Sequence, residues 1–263
     1  MALITILWAL TTPNANALPA YSRLSQAKYG YRASCMLCHT AGGGSAVNEY
    51  GRDFLRAGAN MPAFGKIEQL DSDGDGATSL NEILARSNPG DSRSTLSNPG
   101  DWLSSGETVP IPKDDLKKLF PSADAFSAIE GTLKEAQVKS VETATGSNLN
   151  DEDKVPTFYF ALKSGKKFAV AQFVSAKSPK GPMSLAVAMD VGASVTNVRV
   201  LKNPASKAIE DSSFLKQFSG KGKSDSLNVG TDVKAAPGEE ALSREIAFSV
   251  RKAVLIINAV FAK

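Results

Sequence analysis

Cys35-Met36-Leu37-Cys38-His39 holds both cysteines and the only histidine of the 263-residue chain. How these five residues are read decides what the N-terminal part of the chain folds around. Two intervening residues leave both thiols on one turn of backbone, where each can form a thioether with a vinyl group of one porphyrin. The adjacent imidazole then meets the iron, which is the pattern of covalent haem c attachment. Cys35 and Cys38 are therefore expected to hold the porphyrin, and His39 to be an axial ligand of the haem iron.

Three other readings compete. A disulfide across two residues closes so short a loop that it constrains little of the unfolded chain. A redox pair of the thioredoxin type should open a helix after a buried strand, whereas the segment before Cys35 is polar and aromatic. A structural zinc site needs about four nitrogen or sulfur donors, and the chain offers three.

Covalent haem attachment implies an exported protein, and the start of the chain agrees. Leu3 to Leu10 is apolar, and Pro13 and Ala15-Asn16-Ala17 follow. This is the pattern of a signal peptide over residues 1–17, cleaved after Ala17. It lacks a basic n-region, and the apolar run is shorter than the ~20 residues that span a membrane. The expected location is periplasmic or otherwise exported.

Charge and punctuation divide the remainder. Residues 18–112 carry 8 basic and 10 acidic side chains, and residues 113–263 carry 22 and 17. The net charge of +3 is too mild for a nucleic-acid partner. Opposite signs suit two modules that dock. Between them, residues 86–112 hold four prolines and repeat Ser-Asn-Pro-Gly-Asp at 87–91 and 97–101, a composition of turns and extended linker. The expected division is residues 18–85 around the haem, a linker at 86–112, and residues 113–263.

Residues 71–82 place Asp71, Asp73, Asp75, Ser79 and Glu82 at loop positions 1, 3, 5, 9 and 12, with Gly76 at 6. That is calcium-loop spacing, with Ala77 contributing its backbone carbonyl and Glu82 able to close the site with both oxygens. Asp91, in the first copy of the repeat, is a further oxygen donor to consider. No second such loop exists in the sequence, and the segment resembles the single calcium loops of thrombospondin type 3 repeats and dockerins. A structural role is expected.

The second axial ligand must come from Met36, Met61, Met183, Met189 or a lysine, unless the iron is five-coordinate. Asn60-Met61-Pro62-Ala63-Phe64-Gly65 resembles the Met-Pro segment of small class I cytochromes c, which implies Met61 as the thioether ligand. The interval from His39, 22 residues, is shorter than in that family. Residues 18–85 are thus expected to form a small, mostly α, cytochrome c-like domain.

Beyond residue 113 a short amphipathic segment, Asp114 to Phe120, precedes a helix expected from Ala123 towards Val138. Thr157–Leu162 with Lys167–Ser175, and Ser184–Val191 with Ser194–Leu201, read as β-hairpins around Ser164-Gly165 and Gly192-Ala193. Glu239 to Phe261 carries apolar residues every three or four positions and reads as a buried helix. The result is an α+β domain with an antiparallel sheet, in a multidomain chain. Leu119-Phe120-Pro121-Ser122-Ala123-Asp124, Gly181-Pro182-Met183 and Phe214-Leu215-Lys216-Gln217-Phe218 resemble the FMN-binding domain of Rnf and sodium-translocating NADH:quinone oxidoreductase subunits. The resemblance implies a flavin site near the last helix. The family's phosphoester-accepting threonine is replaced here by Glu240, which excludes covalent flavin. Ser243 and the helix N-terminus remain as a non-covalent FMN site; a scaffold that lost the cofactor is the other reading.

The expected function is electron transfer between redox partner proteins. The alternatives are a flavocytochrome enzyme that binds FMN non-covalently and a docking subunit of a membrane respiratory complex.

Overall fold

The computed structural model describes residues 19–106 and 109–261; the leader-like residues 1–17 lie outside the described residues. The fold is mixed α+β around one five-stranded antiparallel sheet, with two one-turn helices, α7 (Asp151–Lys154) and α8 (Ser212–Leu215), among the longer ones described below. Its strands are β1 (Ala125–Glu130), β2 (Thr157–Lys163), β3 (Lys166–Ala176), β4 (Met183–Asp190) and β5 (Val195–Lys202), paired in sequence order. Both hairpins stand where the alternation places them. Lys163 pairs with Lys166 across Ser164 and Gly165, and both turn residues have positive φ, 50° and 74°, as a two-residue hairpin turn requires.

One expected helix is a strand. Ala125–Glu130 pairs with β2, Phe126 opposite Ala161 and Ala128 opposite Tyr159, and the helix begins only at Glu135. Phe126 and Ala128 pack on the sheet core at a spacing of two, and Gly131 ends the strand against the ring of Phe158. Tertiary pairing thus overrides a segment whose composition also suits a helix.

The inner strands β2, β3 and β4 are buried almost throughout because both faces of the sheet are covered. One face carries Phe158, Val170, Val174, Leu185 and Val187 and packs against α9 (Glu240–Phe261) and α6 (Glu135–Thr145). The opposite face is built from smaller residues, Ala161, Ala169, Ala171, Ala186 and Ala188, with Tyr159 and Phe173, and packs against α5 (Lys113–Leu119). α9 holds the one strongly buried ion pair found among the described residues, Lys252 Nζ to Asp153 Oδ2 at 2.7 Å, with side chains 5% and 3% exposed. Among the described residues no helix is long and apolar enough to cross a membrane.

Residues 19–106 form a helical segment with its own core: α1 (Ala20–Tyr29), α2 (Glu49–Arg56), α3 (Met61–Ile67) and α4 (Ser79–Ala85) enclose Leu24, Tyr50, Phe54, Phe64 and Ile83. Residues 86–106, expected to be linker, fold back onto it. Trp102 joins this core, 5% exposed, and its Nε1 donates to Arg86 O at 2.8 Å. The prolines and glycines make turns, but one aromatic and several buried polar side chains hold those turns down. The helical segment then grips the sheet segment. Arg32 makes a two-pronged bond to Glu130 at 2.7 and 2.8 Å, Arg23 donates to Gly131 O and Thr132, and Tyr21 donates to Glu152 at 2.9 Å.

Removing one partner of a buried pair strands the other charge. Lys252→Ala is expected to lower unfolding free energy by about 3–5 kcal/mol in chemical denaturation. Lys252→Met combined with Asp153→Leu is expected to recover part of that loss, since no charge is then left buried.

Candidate functional site

Residues 35–39 form a tight turn whose backbone is tied down on both sides. Ser34 caps a 3-10 turn over Cys35–Leu37, and the His39 N–H donates to Cys35 O at 3.0 Å. Asn48, the N-cap of α2, accepts from Gly51 N–H and donates through Nδ2 to Met36 O and Leu37 O at 3.0 and 3.2 Å. Asn88 donates to Met36 O at 3.1 Å, so the first Ser-Asn-Pro-Gly-Asp copy serves this turn. Two glycines permit the close packing. A Cβ on Gly51 would lie 2.4 Å from Cys38 O, and one on Gly90 would lie 2.2 Å from Asn48 Nδ2.

Both cysteines are free thiols, and burial pushes the Cys38 thiol up to about 12. Burial also raises Cys35. Neither favours the thiolate that nucleophilic or redox-exchange chemistry uses. His39 Nδ1 lies 2.8 Å from Ser45 O. A carbonyl only accepts, so Nδ1 carries the proton and Nε2 keeps its lone pair. Burial lowers the imidazole pKa, the Ser45 bond opposes this and the Lys202 charge reinforces it. The neutral ring, oriented by a backbone carbonyl, is the form a metal takes.

These three side chains line one wall of a cleft between the helical segment and the sheet. Tyr21, Leu37, Val47, Phe54, Leu55 and Phe64 make the same wall apolar. Ser175, Pro182, Met183, Ser184 and Lys202 come from the sheet. Its apolar lining and convergent donors suit a planar apolar cofactor, and two thiols beside an imidazole with a free nitrogen fit covalent haem. Met61 does not line the cleft. It begins α3, packs beside the helical core, and donates its N–H to Asp151 Oδ2 at 3.3 Å. Of the residues expected at this site, the structure brings Cys35, Cys38 and His39 together and leaves Met61 apart. Ser175, Ser184 and Lys202 escaped sequence reading, although the hydrophobic alternation of their strands was visible and turns polar at these positions.

The acidic loop connects α3 to α4. Single carboxylate oxygens of Asp71, Asp73 and Asp75 lie within 4.8 Å of one another. Gly74 and Gly76 N–H groups donate to Asp71, and Thr78 caps α4, bringing Glu82 into its first turn. Glu82 is fully buried and neither of its oxygens has a hydrogen-bond partner; Asp73 Oδ2 is also unpartnered. Burial first, then the charges of Asp73, Asp75 and Asp71, push the Glu82 carboxyl up to about 8. Unpaired buried oxygens beside two further carboxylates fit a hard divalent cation. Ser79 Oγ is engaged with Leu70 O at 2.9 Å, and Ala77 donates its N–H to Asp75, leaving its carbonyl as the expected donor. Asp91 stands outside this group, paired with Arg93.

Ser243 is buried near the start of α9, where its Oγ accepts from Ala236 N–H at 3.0 Å. Glu240 pairs with Arg244 at 2.6 Å. The arrangement thus presents an exposed carboxylate and no exposed serine hydroxyl to a flavin phosphate at this position. Leu119, Phe120, Phe214 and Phe218 are core residues, and Pro182 and Met183 border the cleft of Cys35, Cys38 and His39.

No protein-family model matches the chain, and no curated protein matches it.

The tightness of the cysteine turn is testable by overpacking. Gly51→Ala is expected to destabilise by about 1–3 kcal/mol, read from thermal unfolding. Gly65→Ala, whose Cβ meets only Lys28 Nζ at 3.6 Å, is expected to be neutral or stabilising.

Proposed function

We propose that this chain is an exported monohaem c-type cytochrome that carries single electrons between redox proteins. It is read as a small cytochrome c-like module with a structural calcium loop, followed by an FMN-binding-like module that holds no covalent flavin. The observation that carries this reading is the convergence of two free thiols and one unprotonated imidazole nitrogen on a cleft with an apolar wall. When bound, haem supplies a one-electron iron couple. Cys35 and Cys38 would hold its edge and His39, its ring fixed by Ser45 O, would ligate its iron, with Phe54, Leu55 and Phe64 as the apolar lining of the site. A carrier needs little reorganisation, and the clamp from Asn48 and Asn88 holds the donor turn rigid. Attachment of haem c outside the cytoplasm agrees with the leader-like pattern of residues 1–17.

The calcium loop stabilises the same turn through the chain. α4 follows the loop directly, Ser87 N–H donates to Glu82 O at 2.9 Å, and Asn88 reaches Met36 O. The engaged Ser243 and the carboxylate of Glu240 support the reading of the second module as a scaffold without covalent flavin.

Export of the chain with a haem-attachment system is expected to give a chromophore that stays on the polypeptide after acid–organic extraction. Cys35→Ala with Cys38→Ala is expected to lose it completely, and a wild-type chain without it refutes the reading.

Calcium at about 100 times its dissociation constant is expected to add about 2.7 kcal/mol of stability to chelator-treated protein. Glu82→Gln is expected to melt at or above wild type in chelator and to gain nothing from calcium, as calorimetry with and without the ion will show.

A further inference from the structure

We propose that Lys202, the last residue of β5, supplies the second axial ligand to the iron at this cleft. The assignment rests on the haem reading above and deepens it. The sheet contributes only five residues to the cleft. Ser175 pairs with Ser184, and Ser184 pairs with Lys202 at an irregularity in register that skips Leu201, so that all three line the cleft. The face of Ser175 and Ser184 continues as Phe173, Ala171 and Ala169 on β3 and as Ala186 and Ala188 on β4. Met183, one residue before Ser184, has its side chain on the other face, fully buried in the core beneath α9. It meets the cleft from behind.

The remaining donors fall away by place. Met36 and Met61 do not line the cleft, and Met189 is buried in the α9 core. Ser175 Oγ and Tyr21 Oη both donate to Glu152. Apart from Cys35, Cys38 and His39, Lys202 is thus the one nitrogen or sulfur donor whose side chain faces the cleft among the described residues. Among the described residues no hydrogen bond or ion pair engages its ammonium, and its charge reaches His39. An ammonium has no lone pair, so ligation breaks one N–H bond, sends that proton to solvent and forms one N–Fe bond.

The test compares wild type, Lys202→Ala and Lys202→Arg as haem-loaded full-length protein, by ferric electron paramagnetic resonance and near-infrared absorption. Wild type is expected to be low-spin with a bis-nitrogen signature. Both variants are expected to lose that signature and turn high-spin, because arginine keeps the charge but cannot ligate. Far-ultraviolet circular dichroism unchanged from wild type shows that the fold is kept. A variant that fails to fold is replaced by Lys202→Leu, which keeps the apolar stem, cannot ligate and is expected to lose the same signature. An arginine variant that keeps the wild-type spectrum overturns ligation and leaves Lys202 as a charge partner for a haem carboxylate. A methionine charge-transfer band that survives Lys202→Ala and disappears in Met61→Ala overturns it in favour of Met61. A wild-type chain without covalent chromophore overturns the haem reading itself, and this assignment with it.

Discussion

A sheet with two apolar faces leaves neither in water, and the arrangement of this protein follows from how the two are covered. α9 and α6 close one face with large aliphatic side chains. The other is lined with alanine, which lets covering elements approach closely, and α5 fills only part of it. At the end where β3 and β4 reach Ser175 and Ser184 and β5 ends at Lys202, the helical segment supplies the opposing wall. The cleft is what remains between a polar sheet end and an apolar helical wall. Its existence depends on docking, which Arg32, Arg23 and Tyr21 secure through Glu130, Gly131 and Glu152.

The docking polar groups and the buried pair of Lys252 with Asp153 meet around one short helix, α7 (Asp151–Lys154). Asp151 receives the N–H of Met61, Glu152 receives Tyr21 and Ser175, and Asp153 receives Lys252. Three consecutive acids therefore bind the start of α3, the α1 and β3 walls of the cleft, and α9. Burial raises the Glu152 pKa, so this junction tolerates its carboxyl best when protonated or fully hydrogen-bonded.

The acidic loop and the cysteine turn are likewise one mechanical unit. Glu82 stands in the first turn of α4, and the chain leaving α4 returns through Ser87 and Asn88 to the backbone of Met36. The loop that carries Asp71, Asp73 and Asp75 leads directly into the helix from which this clamp hangs, so order in the acidic loop supports the geometry of the cysteine turn.

Much of this was legible in the residues. The spacing of Cys35, Cys38 and His39, the acidic loop, both hairpins and the last helix depend on local order in the chain, where turn chemistry and periodicity act over a few residues. The helix expected from Ala123 failed because pairing with β2 is a long-range event, and residues 86–106 read as linker because the burial of Trp102 leaves no local trace. Ser243 was placed by resemblance and is consumed by a backbone N–H that only folding brings to it. Met61 sits in a fitting sequence context, yet α3 carries it away from the cleft. The sequence by itself determined which chemical groups are available and which lie on one turn. The tertiary structure decided which groups face one another, because that depends on strand parity and on docking between segments more than a hundred residues apart.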